Sequence, residues 1–158
     1  DGRGRLLPMT LVPLWDPDGF LESHLHHVRW LFSAPVLRLA VTLIALGALL
    51  GLVNFSELAA HGQSSLASGR MWLAMWLVYP FIKALHEAAH AFAVKRFGGE
   101  VHEVGITLLM LTPVPYVDAS ASVAFASKHK RASVALAGIF VEAVLASIAL
   151  PLLPVPPM

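Results

Sequence analysis

MWLAMWLVYPFIKALHEAAHAFAV, residues 71–94, is the stretch on which the fold turns. A helix needs about 20 apolar residues to cross a hydrocarbon core, and this run is long enough. Its first half is almost wholly apolar, whereas its second half carries Lys83, His86, Glu87 and His90. Ionisable groups at such depth are costly and mark function. On a helix, residues four apart lie about 40° apart around the axis, so His86 and His90 can present both imidazoles to one metal ion. Glu87 stands about 100° round from His86, placed to take a proton from a water held there. In a soluble helix the bland reading, two histidines and a glutamate in solvent, would prevail. Here solvent is not at hand, and the metal-site reading is preferred.

The rest of the chain fits a membrane setting. Of its 158 residues 57% are hydrophobic and only 13% charged, too little polar surface to cover a soluble core. The net charge of +1, with no dense basic block, excludes a nucleic-acid binder. Without cysteine there are no disulfides and no thiolate metal sites, so any metal is held by His, Asp or Glu. No signal peptide opens the chain, and its ends at Asp1 and Met158 read as the edges of an excised piece.

Working outward, the expected fold is a mainly α integral membrane protein. It has about three transmembrane helices and an inserted β-hairpin-like segment between the second and third. Residues 1–33 form an N-terminal unit. Its first 15 residues are irregular, and a helix comes next with Asp16 as N-cap and Pro17 in its first turn. Leu21, Leu25, Val28 and Phe32 share one face of that helix, a pattern for lying on a bilayer surface. Residues 34–158 form the membrane-embedded core. Its spans are 34–54, 71–94 and 133–153, with a polar link at 56–70. Pro80 should kink the second span, and Lys95, Arg96, Gly98 and Gly99 should end it. Residues 101–108 favour strand, Pro113 and Pro115 interrupt the residues after them, and the segment reads as a hairpin reaching into the membrane.

Orientation is set by Lys and Arg. Arg3, Arg5, Arg29 and Arg38 precede or begin the first span, and Lys95, Arg96, Lys128, Lys130 and Arg131 lie between the second and third, whereas the first link holds only Arg70. The N-terminus and residues 95–131 are therefore expected in the cytoplasm.

The segments LHEAAHAFAVKRFGGEVHEVGI (85–106), LTPVPYVDAS (111–120) and ALAGIFVEAV (135–144) together resemble the site-2-protease family of intramembrane zinc metalloproteases, over about half the chain. The resemblance implies a zinc metalloendopeptidase in the bacterial cytoplasmic membrane, with Zn2+ as cofactor and a membrane-associated peptide or protein as substrate. It makes His86 and His90 zinc ligands, and Glu87 the general base toward a zinc-activated water. The PVPYVDAS form points to a branch associated with peptide maturation or an export-system partner. The chain departs from the pattern in two places. Glu142 stands where the AG motif usually continues to asparagine, and the Asp-Gly helix that carries the family's third ligand is missing before Met158.

Asp118 is the first substitute for that ligand, although a turn-capping role weighs more heavily for it. Asp18-Gly19 is a weaker one. Glu142, inside an apolar span, must be protonated or paired, and a supporting hydrogen bond to the second span or the hairpin suits it better than ligation. His102, His24, His26 and His27 read as structural or interfacial polar residues, and Trp72, Trp76 and Tyr79 as an aromatic belt. The hairpin offers an edge to which an extended substrate strand could add. The alternative to a protease is a catalytically incomplete membrane scaffold or export-partner module that retains a metal site. A proton or metal transporter is weaker still, because one polar cluster among three spans makes a poor conduit.

Overall fold

The computed structural model describes residues 11–109 and 112–153. The basic residues Arg3 and Arg5, the hairpin tip at 110–111 and the end at 154–158 lie outside them. The chain is mostly helical, with one small sheet. In order it forms β1 (Leu11–Trp15), α1 (Asp18–Val28), α2 (Ala34–Val53), α3 (Phe55–Leu66), α4 (Gly69–Arg96), β2 (Val104–Leu109), β3 (Thr112–Val117) and α5 (Lys128–Ala149).

Three long helices lie in a row with α5 in the middle. Gly47 of α2 meets Ser147, and Gly51 meets Leu150, so α2 and α5 run parallel. His86 of α4 reaches Glu142 while His90 reaches back to Val134, so α4 runs antiparallel to α5. A Cβ at Gly47 would meet the Ser147 backbone, so only glycine permits that approach.

Among the described residues two helices, Ala34–Val53 and Lys128–Leu152, are long and apolar enough to cross a membrane, rather than the three expected. The second expected span is a continuous helix, Gly69–Arg96, that passes through Pro80. Lys83, His86, Glu87 and His90 remove it from the apolar class. Only 6% and 11% of the two apolar stretches are buried within the chain. Leu39, Leu49, Leu52, Trp72, Leu73, Trp76 and Phe81 are all exposed.

The core sits at one end of this row. Val94, Val101 and Val134 are its fully buried side chains, joined by Leu21, Ala91 and Ala93. Leu21, Leu25, Val28 and Phe32, expected to lie on a bilayer surface, instead turn toward the end of α4, with Leu21 buried and the other three half-buried. The α-helix starts at Asp18, with Pro17 at its cap, and the Asp16 carboxylate accepts the Asp18 N–H at 2.9 Å. At the end of α4, Gly98 takes φ +83°, and the Gly99 and Gly98 N–H groups bond the carbonyls of Val94 and Lys95. That left-handed cap ends the helix where the Lys-Arg-Phe-Gly-Gly run predicts.

Two segments differ from expectation. Residues 11–15, expected to be irregular, form β1. Residues 56–70, expected to be a polar link, mostly form the helix α3. Strand pairing is non-local, so β1 does not show in local composition.

The expected hairpin is present, and β1 adds to it in the antiparallel order β1-β2-β3. The Asp118 N–H bonds the Glu103 carbonyl, which fixes the alternation of the β2–β3 ladder. With Leu108 opposite Pro113 and Ile106 opposite Pro115, both prolines then occupy outward-facing positions on β3. The same alternation puts Pro13, opposite Gly105, on the outer side of β1. Each proline removes an N–H from an open edge, the placement that discourages an added strand.

Lys95 joins α1, α4 and the hairpin lead. Its ammonium bonds both Asp18 carboxylate oxygens at 3.0 Å, and Asp18 Oδ1 also accepts the Val101 N–H at 2.9 Å. The Val101 N–H and then Lys95 hold the Asp18 carboxyl below its ordinary value of 3.8. A lowered folded value stabilises the protein above that pH, and the contribution is lost as pH falls through the folded value. Asp18→Asn is expected to lower Tm by roughly 2–5 °C at neutral pH. The gap should begin to narrow as pH falls below 3.8 and vanish below the lower folded value. Thermal melts at neutral and acidic pH check this, and a pH-independent gap would assign Asp18 to packing rather than charge.

Candidate metal centre

His86 and His90 lie one turn apart on the face of α4 that meets α5, their ring centroids 4.8 Å apart. Their Nε2 atoms converge to 3.1 Å. Both Nδ1 atoms point outward to α5. His86 Nδ1 lies 2.7 Å from Glu142 Oε1, and His90 Nδ1 lies 2.6 Å from the Val134 carbonyl oxygen. A carbonyl only accepts, so His90 carries its hydrogen on Nδ1 and keeps a lone pair on Nε2. A hydrogen on His86 Nδ1, facing the Glu142 carboxyl oxygen, would likewise leave the His86 Nε2 lone pair directed at that of His90.

That arrangement fits a shared cation. Two imidazole nitrogens about 2.0–2.1 Å from a tetrahedral zinc stand about 3.3 Å apart, close to what is seen. Metal-bound histidines characteristically donate the second ring N–H to a carboxylate or a backbone carbonyl, and both partners are present. The donor set, imidazole without thiolate, also suits zinc.

Of the other residues, Glu87 comes directly after His86 on α4 and pairs with Lys83 one turn earlier, Nζ to Oε1 at 3.6 Å. Both side chains are about four-fifths enclosed, at 20% and 18% exposure. Glu142 is paired with α4 through His86. Asp118 is not brought to the histidines; its carboxylate accepts the Ser120 N–H at 2.9 Å and caps the turn after β3. Asp18, the other substitute, is taken up by Lys95 and Val101. Among the described residues no three His, Asp or Glu side chains gather to hold a metal. His102 bonds Asp16 and Glu100 on the surface, and His24, His26 and His27 are exposed on α1.

Two partners escaped the sequence reading. The Val134 carbonyl is a backbone group that no residue pattern marks. Gly138 lies directly beneath the His86 ring, and a Cβ there would overlap the imidazole. The Ala-Gly pair within residues 135–144 was the one signal that pointed to it.

No family model, curated protein or solved structure matches this chain. The site therefore stands on its own geometry.

Gly138→Ala is expected to displace the His86 ring and weaken zinc binding at least ten-fold, the scale of loss seen when groups around a ligand are disturbed. Calorimetric zinc titration of the purified protein checks this. His86→Ala should abolish tight binding altogether, and full zinc occupancy in that variant would remove His86 from the site.

Proposed function

We propose that this chain is the membrane-embedded part of an intramembrane zinc metalloendopeptidase of the site-2-protease kind, acting on membrane-associated peptides or proteins. The observation that carries this reading is the convergence of the two Nε2 atoms at 3.1 Å, each ring held from behind through Nδ1. It occurs on a helix where Glu87 adjoins the pair, in a chain whose other long helices suit a bilayer.

Zinc, when bound, supplies Lewis acidity toward water and a peptide carbonyl. The protein's residues do the rest. His86 and His90 would hold the ion through their Nε2 atoms, which lie 3.1 Å apart. Glu87 accepts a proton from water and returns it to the leaving amine. Lys83, paired with Glu87 from the preceding turn, holds that carboxylate to one side of α4. Asp118 would have to release the Ser120 N–H to act as the third ligand. The sheet gives little help to an extended substrate, because Pro13, Pro113 and Pro115 strip donors from both outer edges.

The lack of a third ligating side chain among the described residues favours a second reading. In it the chain is a scaffold or export-partner module that keeps metal without cleaving. Tight zinc binding with no hydrolysis of any membrane-anchored reporter would select it.

The reading also places the N-terminus and residues 95–131 in the cytoplasm. With α2 and α5 parallel and α4 antiparallel, Arg29, Arg38, Lys95, Arg96, Lys128, Lys130 and Arg131 gather at one end of the row. Arg70 lies at the other, a division that obeys the positive-inside rule.

Glu87→Gln should abolish cleavage of a membrane-anchored reporter, a loss of about 10²–10⁴-fold, while zinc stays bound. Undiminished cleavage would exclude Glu87 as the base, and loss of zinc would recast it as structural. A Ser65→Cys variant, at the end of α3, should react with an impermeant thiol reagent only from the non-cytoplasmic side. Labelling from the cytoplasm alone would invert the topology.

A further inference from the structure

Val134, Gly138 and Glu142 lie four residues apart, so they form one stripe along the face of α5 turned to α4. Each meets the histidine pair. The Val134 carbonyl accepts from His90, Gly138 clears space for the His86 ring, and Glu142 lies at His86 Nδ1. We propose that Gly138 and Glu142 together form a seat that sets the position and the tautomer of His86, with Glu142 a positioning residue rather than a metal ligand. The part of this that concerns metal rests on the reading above; the part that concerns the tautomer does not.

A neutral imidazole has one N–H and one lone pair, and the partner of one nitrogen decides the state of the other. In water, neutral histidine favours the hydrogen on Nε2. On His86 that form would aim an N–H at His90 Nε2, 3.1 Å away, and spend both lone pairs on one internal hydrogen bond. The Glu142 carboxylate at 2.7 Å reverses the preference, because a charge-assisted acceptor draws the hydrogen to Nδ1. Nε2 is then free for a cation. Since Oε1 sits on the Nδ1 side of the ring, away from the converging Nε2 atoms, Glu142 holds the ligand without ligating. The two histidines are not equivalent in this respect. His90 takes its tautomer from a backbone carbonyl, which substitution cannot remove, whereas His86 depends on a side chain. The enclosure differs too, at 14% exposure for His86 and 37% for Glu142, so the carboxylate reaches inward from the more open side.

The test reads the ring directly. Protein with 15N-labelled histidine, in detergent and without added metal, should show His86 with its hydrogen on Nδ1. In E142L and E142A the hydrogen should move to Nε2, and in E142Q the amide oxygen should keep it on Nδ1. Zinc titration of the same samples should show a 10–100-fold weaker affinity for E142L and E142A and a smaller loss for E142Q. An Nε2–H form in the unsubstituted protein would overturn the proposal. So would an unchanged Nδ1–H form in both E142L and E142A, even if they melted at lower temperature, since a purely structural role predicts that result. If zinc left the His86 and His90 signals of the unsubstituted protein unmoved, the metal reading would fall while the tautomer assignment stood.

Discussion

Two part-buried imidazoles on α4 bring four ring nitrogens to be satisfied, and the rest of the structure accommodates them. A buried polar group left without a partner costs about 1–3 kcal/mol. Helix α5 answers two of the four, through Glu142 and the Val134 carbonyl. It can do so only if the two helices come close, and Gly138 permits that approach by leaving out a side chain under the His86 ring. The other two nitrogens are left facing each other. Holding the outer nitrogens on α5 therefore brings the two Nε2 atoms within 3.1 Å of each other.

The packing around this contact is unusual for so short a chain. Its buried side chains cluster where α1, the end of α4, the hairpin lead and the start of α5 meet, tied by Lys95 to Asp18. Elsewhere large apolar residues such as Leu52, Phe81 and Trp76 face outward. Among the described residues, two helices are long and apolar enough to cross a membrane. The basic residues gather at the end that holds the core, so the polar junction and the charge asymmetry reinforce each other.

Sheet edges show a different constraint. Pro13, Pro113 and Pro115 all fall where the missing N–H would have faced outward, on β1 and β3 alike. An edge near lipid or a helix has no partner for such donors, and proline removes them. This protects the sheet at the expense of strand addition, the recognition mode that a bare hairpin would suggest.

Local pattern alone identified much of the protein. The apolar run at 34–54, the helix carrying His86, Glu87 and His90, its glycine stop and the hairpin all depend on residues close in sequence, and each lies where expected. That Leu21, Leu25, Val28 and Phe32 share one face was legible for the same reason, since helical period is a local property, whereas the packing of that face toward α4 was not. What depended on residues far apart was not legible. The strand at 11–15 needs β2, about ninety residues on, and Asp118, a plausible ligand by type, was already committed to Ser120. Chemistry and spacing supplied the two histidines. Only the antiparallel docking of α4 on α5 decided which ring nitrogens would be tied back and which would face each other, because that choice rests on a glycine, a carboxylate and a backbone carbonyl some fifty residues away.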